Sequence, residues 1–272
     1  MSLDEYGFLS EDIIHFQKHI HEQYAKYFDL IDRVNAFCQQ AKFRLSIHSR
    51  DGREMAAACL ILKLLNDMQA AILLAEHGMA SQARTLIRTG LEAFIILANV
   101  CHVDEFWRSF FRSDQKARLK LLRAIHDNPS VVFAEVRPHV TPELIDQLNQ
   151  EVKEMGITEE KVIKLACRVK LMPLYDSLYR LFSQDVHSSP RALEEYCLFD
   201  QNDELAGFRW GPKTEELAAE FTVIPRIMIL GFAAINELFD LKLDEALASF
   251  DAELKLLENP PDRDQSIQPT QK

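Results

Sequence analysis

The 272-residue chain has little glycine and little proline, 8 and 10 residues respectively. Together they form about 7% of the chain, against a usual share of ~12%. β-Sandwiches and barrels need many glycine- and proline-containing turns, and doubly wound sheets need glycine-rich crossings, so these folds are disfavoured. The 47% hydrophobic content excludes a disordered chain. The composition therefore predicts an all-α fold, a multi-helix bundle.

The sequence also lacks the common signatures of bound metals and cofactors. Its five cysteines are widely spaced and never form C-x-x-C, which argues against a disulfide framework and a zinc site. We expect them to be reduced and mostly buried. His15 and His19 have metal-compatible spacing, but no carboxylate or cysteine joins them in a recognised pattern. G-x-S-x-G, P-loop and G-x-G-x-x-G motifs are absent. We therefore expect neither metal nor cofactor.

Positive charge is scarce, with 31 Lys and Arg against 42 Asp and Glu and a net charge of -11. This balance excludes a protein that binds nucleic acid non-specifically over its whole surface, but it permits a local basic site. The stretch 108–123 carries six cations and one anion, Asp114. Two interpretations stay open for it, a solvated helix face and a local basic site.

No targeting or membrane-spanning segment is predicted. The N-terminus is acidic and has no long apolar region, unlike a signal peptide. The most apolar windows, 91–101 and 221–235, are shorter than the ~20 residues that a membrane span needs. We expect a cytoplasmic protein.

Apolar periodicity and capping signals predict a single helical domain over residues 1–258, followed by a disordered tail at 259–272. One segment, 196–210, has strand character and predicts a small β-hairpin that turns at 201–204. Helices are predicted at about 10–47, 53–77, 80–101, 104–127, 142–156, 173–187, 212–240 and 243–258, with a short one after Thr158.

The helix at 80–101 carries a polar stripe formed by Arg84, Arg88 and Glu92 at four-residue spacing. Glu92 lies in an otherwise apolar run, so we expect it to be partly buried and to need a partner, for which Arg88 is the obvious candidate. A structural ion pair and a charged pocket floor both remain open.

A second group lies in the helix at 173–187. Arg180 and His187 are seven residues apart, which places them on one helix face roughly 10 Å apart, with Ser183 between them. A neutral histidine can take the proton from a ribose 2′-OH, while an arginine can hold the phosphate, and no metal is needed. In the alternative interpretation, His187 interacts with the helix dipole and has no catalytic role.

Three segments in this order resemble a bacterial family described as domain of unknown function 5677: HGMASQARTLIRTGLEAFI, DEFWRSFFRSDQKARLKLL and LYRLFSQDVHSSP. The resemblance covers about residues 50–240 and rests mainly on Arg88 to Glu92 and Ser183 to His187. It implies a helical fold and no particular activity.

The segment LYRLFSQDVHSS also resembles the signature of the HEPN superfamily, an Arg separated by four to six residues from a His. Leu181 departs from the polar residue that often follows the Arg. The resemblance implies a helical bundle that dimerises with its motifs facing each other. It also implies metal-independent RNase activity, in many members as a toxin or phage-defence effector.

Two functions therefore remain open. In the first, the protein is a HEPN-like endoribonuclease in which His187 is the general base or acid, Arg180 binds phosphate and Ser183 positions the substrate. Arg88 and Glu92 would shape its pocket, and RNA would bind locally. In the second, it is a non-catalytic binding or regulatory module that acts through a homodimer face.

Overall fold

The computed structural model describes residues 2–48, 51–156, 160–186 and 189–259. The predicted helical bundle with one hairpin is confirmed. The elements are α1 (Leu3–Tyr6), α2 (Ile13–Gln23), α3 (Ala25–Ala41), α4 (Gly52–Glu76), α5 (Ala80–His102), α6 (Phe106–Asp127), α7 (Pro142–Glu154), α8 (Val162–Arg168), α9 (Met172–Leu174), α10 (Arg180–Val186), α11 (Pro190–Leu193), β1 (Cys197–Phe199), β2 (Leu205–Phe208), α12 (Ala218–Asn236) and α13 (Asp244–Glu258). A π-helical turn, Tyr175–Tyr179, joins α9 to α10.

Side-chain caps begin two of the predicted helices. Asp51 accepts hydrogen bonds from the backbone amides of Arg53 and Glu54 at the start of α4. Thr141 accepts one from the amide of Leu144 at the start of α7. Both caps satisfy amides that have no partner within the helix. The Thr141 cap explains why the start of α7 could be located from sequence.

The core is built on the α4–α5 pair. Helix α12 packs against α3, α4 and α5, and α13 packs against α12 and α3. The largest fully buried side chains include Ile61, Leu64, Met68, Leu91 and Phe232. A second apolar cluster joins α2 and α3 to the start of α12. These contacts fix the relative positions of α5 and α12, which carry Arg84 and Glu220 respectively.

The predicted helix at 10–47 is interrupted at Tyr24, which separates α2 from α3. The hydroxyl of Tyr24 accepts a hydrogen bond from the amide of Leu217 at 3.1 Å, and its ring packs against Phe221. These partners lie almost 200 residues away in the chain. The break is therefore set by tertiary contacts, which periodicity does not reveal.

The last long helix begins at Ala218, later than the predicted start near residue 212. The intervening segment is held elsewhere, because the amide of Lys213 donates to the carbonyl of Gly78 at 3.0 Å. Glu216 also has a left-handed backbone conformation, with φ of +58°. A helix cannot continue through such a residue, so the segment remains a loop.

The predicted hairpin at 196–210 is confirmed. Strands β1 and β2 pair antiparallel, with a register irregularity between Leu198 and Phe199. Asp200 closes the turn by accepting hydrogen bonds from the amides of Asn202 and Glu204. This is the local side-chain-to-backbone bonding that favours aspartate in turns.

Two helices, α4 and α12, are long and apolar enough to cross a membrane by length and composition alone. Core helices pass the same test, and 72% of the apolar stretch of α12 and 44% of that of α4 are buried within the protein. The absence of a membrane span stays a prediction.

The five cysteines are free, but the prediction that most are buried is wrong. Cys38 and Cys101 are buried, Cys59 and Cys167 are exposed, and Cys197 is intermediate. Burial raises the pKa of the Cys38 and Cys101 thiols to about 12. The exposed pair lies on the outer faces of α4 and α8. Of the predicted tail, only Asn259 is among the described residues.

We expect Gly78→Ala to lower the free energy of unfolding by ~2–4 kcal/mol, because strain and a steric clash add at this position. Gly78 has φ of +72°, and a Cβ there would lie 2.6 Å from the Cβ of Pro212 and 2.7 Å from the carbonyl oxygen of Lys213. The matched control is Gly156→Ala. Gly156 has φ of +60° with no described atom within 4 Å, so only strain of ~1 kcal/mol should remain. Equal losses in urea denaturation would contradict this account.

Candidate functional site: a charged cleft between helices and hairpin

A cleft of about 410 Å³ opens between α5, α10, α11, the segment after β2, and α12. Among the described residues, its wall carries four cationic and five anionic side chains, so the charges of this lining nearly balance. They are Arg84, Arg191, Arg209, Lys213, Asp185, Glu194, Glu195, Glu216 and Glu220.

Arg84 from α5 is held between two carboxylates. Its Nε lies 2.6 Å from Oε1 of Glu220 on α12, and its Nη1 lies 3.0 Å from Oε2 of Glu195. The Glu220 side chain has no exposed surface, so its charge needs a counter-ion in the protein. Burial disfavours the charged guanidinium, but Glu220 and Glu195 outweigh it and raise the pKa of Arg84.

Lys213 is the second cation of this network. Its Nζ lies 2.7 Å from Oε1 of Glu195 and 3.1 Å from Oε2 of Glu216. Burial of Glu195 opposes ionisation, but Lys213 and Arg84 together lower the pKa of this carboxyl. Glu195 therefore bridges α5 and the loop before α12, and it fixes one edge of the cleft.

Asp185 of α10 also lines the cleft. It accepts a hydrogen bond from the Ser81 hydroxyl at 3.1 Å. Burial raises the pKa of Asp185, although Arg84 and Ser81 pull it in the opposite direction. No ion pair to a described residue neutralises this carboxylate, in contrast to Glu195 and Glu220.

The predicted pair of Arg88 and Glu92 is confirmed as an ion pair, with Nη1 and Oε2 3.1 Å apart. Tyr179 completes it, because its hydroxyl accepts a hydrogen bond from Arg88 at 2.6 Å and donates one to Glu92 at 3.2 Å. The guanidinium also lies 4.8 Å from the ring centroid of Tyr179. Burial, then the charge of Glu92, raises the pKa of Tyr179 to about 12. Arg84 and Arg88 therefore belong to different networks.

Arg180 lies outside the cleft lining, on the exposed surface at the start of α10. Its Nε lies 3.1 Å from Asp176, and its guanidinium lies 5.7 Å from the ring centroid of Tyr175. The Ser183 hydroxyl donates a hydrogen bond to the backbone carbonyl of Tyr179, one turn earlier, at 2.6 Å. His187 lies outside the described residues.

The basic stretch at 108–123 forms most of α6. Arg108 pairs with Glu105 and lies over the ring of Trp107, and Arg123 donates to Asn149 of α7. These local contacts favour the solvated-face interpretation. Among the described residues, no three His, Cys, Asp or Glu side chains converge closely enough to hold a metal ion.

A model described as a family of unknown function (DUF5677) matches residues 54–205, slightly more than half of the chain. The chain belongs to this family. No curated protein and no solved structure matches it. The match is narrower than the expected 50–240, so the DUF5677 region includes Arg84, Asp185 and Glu195 while Glu220 and Lys213 lie beyond it.

Sequence reasoning missed several cleft residues of this DUF5677 protein. Glu220 carried a usable signal, since it stands beside Phe221 in an apolar helix just as Glu92 does in α5. Glu195 and Lys213 carried none, because they lie in irregular segments that only the fold brings to Arg84.

We expect Arg84→Ala to lower the free energy of unfolding by ~3 kcal/mol or more, because it leaves Glu220 charged, buried and unpaired. The control is Arg33→Ala, which removes an arginine from the exposed partners Asp29 and Glu253 and should cost less than ~1 kcal/mol. The double variant Arg84→Met with Glu220→Leu should recover much of the loss. A loss for Arg84→Ala no larger than for Arg33→Ala, measured by urea denaturation, would contradict this account.

Proposed function

We propose that this DUF5677 protein is a HEPN-like, metal-independent endoribonuclease of the cytoplasm that acts as a homodimer. Arg180 binds the scissile phosphate and His187 is the general base or acid. The observation that carries the proposal is the exposed guanidinium of Arg180, seven residues before His187 in the sequence. Its described ion pair is to Asp176, which is itself about half exposed, so a phosphate can compete for it.

The location of Arg180 supports this assignment. It is one residue before Leu181 and four before Gln184, both of which line the charged cleft. Positions four apart on a helix are neighbours, so a phosphate at Arg180 would lie beside the cleft. Arg191, an exposed residue at the cleft, supplies further positive charge for the RNA backbone.

The reaction needs no metal. A neutral His187 takes the proton from a ribose 2′-OH, and the resulting oxygen attacks the adjacent phosphorus. The bond from phosphorus to the 5′-oxygen breaks, and that oxygen takes up a proton. The products are a 2′,3′-cyclic phosphate and a 5′-hydroxyl end. Arg180 offsets the charge that develops on the phosphate oxygens.

For Ser183 we propose a positioning role within the protein rather than a contact with the substrate. Its hydroxyl is already engaged by the carbonyl of Tyr179. We propose that Ser183 and the network of Arg88, Glu92 and Tyr179 hold the start of α10 in place and thereby position Arg180. In this proposal, Ser183 and the Arg88–Glu92–Tyr179 network position the helix backbone and do not contact the RNA.

The test is cleavage of a single-stranded RNA in EDTA by the full chain and by His187→Ala. General acid or base catalysis typically contributes ~10²–10⁴-fold, and we expect a rate loss in that range. His126→Ala is the control, because His126 lies in the last turn of α6, outside the cleft lining. Arg180→Ala should also lose activity, while Arg108→Ala should not. Inactive wild type, or equal rates for wild type and His187→Ala, would overturn the proposal.

A second candidate function is a non-catalytic binding or regulatory module that acts through a dimer face. The hairpin favours it, because both strands and the segment after them expose large apolar side chains: Leu198, Phe199, Leu205, Phe208 and Trp210. Exposed apolar patches on soluble proteins often mark interaction surfaces.

If the hairpin is a homodimer face, Phe199→Lys and Phe208→Lys should each weaken dimerisation at least about tenfold, because a charge would then be buried in the interface. The control is Leu256→Lys, since Leu256 is similarly exposed but lies on α13. Sedimentation equilibrium measures the dissociation constants. A monomeric wild type, or a dimer that both hairpin variants leave unchanged, would contradict this interface.

A further inference from the structure

The charged cleft retains one buried acceptor after its internal ion pairs are formed. The Oε1 atom of Glu220 accepts from Arg84, whereas its Oε2 atom is buried and has no hydrogen-bond partner among the described residues. A charged carboxylate oxygen is a strong acceptor, and burying it without a donor is costly. The Glu220 position therefore calls for an N–H or O–H group from a bound molecule.

The same cleft retains a buried donor. The Nε atom of Arg209 is buried and has no described partner, although Arg209 lines the cleft. Arg191, also in the lining, lies on the exposed surface of α11. The cleft thus offers both an unused acceptor and unused donors, which a ligand with the complementary pair would satisfy.

The near balance of charge narrows the class of ligand. Five carboxylates oppose four cations in the lining, so the interior does not suit a phosphate alone. A neutral, planar, polar group fits better. The volume of about 410 Å³ lies within the range of sites for molecules of nucleotide size.

We propose that the cleft binds a guanine base, with the N–H groups of its Watson–Crick edge directed at Glu220 and its O6 or N7 acceptor directed at Arg209. Guanine carries O6 and N7, for which arginine is the usual partner, together with N–H donors that a carboxylate accepts. Guanine alone presents two N–H donor groups, N1 and N2, beside its O6 and N7 acceptors, whereas adenine, cytosine and uracil each present one donor group. The proposal deepens the ribonuclease proposal, on which it rests for RNA as the source of the base.

Helix α10 connects the two parts of this arrangement. Arg180 lies on its outer surface, and Gln184 and Asp185 line the cleft one turn later. A guanine in the cleft would therefore place its own 3′-phosphate within reach of Arg180. The expected consequence is cleavage on the 3′ side of guanosine.

The test is isothermal titration of the full chain with 3′-GMP, 3′-AMP, 3′-CMP and 3′-UMP. We expect 3′-GMP to bind at least about tenfold more tightly than the others. Glu220→Gln and Arg209→Ala should each weaken 3′-GMP binding about tenfold or more, because each removes one partner of a charged hydrogen bond. Arg226→Ala is the control, since Arg226 lies on α12 but pairs with Glu258 away from the cleft.

Arg209→Ala keeps the test decisive if Glu220→Gln fails to fold, because Arg209 is only partly buried. Equal affinity for all four nucleotides, no binding of 3′-GMP, or 3′-GMP binding that Arg209→Ala leaves unchanged would overturn the guanine site. Guanine-selective binding without RNA cleavage would overturn the nuclease and leave the guanine site, with a free nucleotide as its ligand. RNA cleavage with no base preference and no 3′-GMP binding would overturn the guanine site and leave the nuclease proposal standing.

Discussion

The rest of the cleft depends on the pairing of Arg84 with Glu220. Glu220 is fully enclosed on α12, and an enclosed carboxylate is tolerated only beside a counter-ion. Arg84 supplies that counter-ion from α5 and reaches Glu195 with its other nitrogen. One guanidinium thereby joins α5, α12 and the segment that leads into the hairpin.

Helix α5 presents its polar stripe to two different surroundings. Arg84 faces α12 and the cleft, while Arg88, one turn later, meets Glu92 and Tyr179 at the π-helical turn before α10. Helix α5 contacts α10 near both ends, through Arg88 and Tyr179 just before its start and through the hydrogen bond from Ser81 to Asp185. A single helix face therefore fixes the segment that carries Arg180, and it explains how an exposed arginine can have a defined position.

The RNA site that we propose is compatible with the acidic net charge of the chain. The carboxylates of the cleft are largely used within the protein or serve as acceptors for N–H groups, whereas Arg180 lies outside them on an open surface. Under the proposed function, Arg180 on α10 would recognise the phosphate, while Glu220 on α12 and Arg209 after β2 would recognise the base. Such a division would limit nucleic-acid binding to one place on an otherwise acidic molecule, since non-specific binding needs many phosphate contacts.

The sequence by itself determined the helical class, the start of α7 after Thr141, the hairpin and the pairing of Arg88 with Glu92. These features follow from contacts within a few residues, where helical spacing or turn chemistry decides the outcome. The tertiary structure decided the break at Tyr24, the late start of α12 and the ion-pair partners of Arg84. Their partners lie at Leu217, Gly78, Glu195 and Glu220, more than 100 residues away, and no local pattern encodes a contact whose two halves meet only after the core has packed.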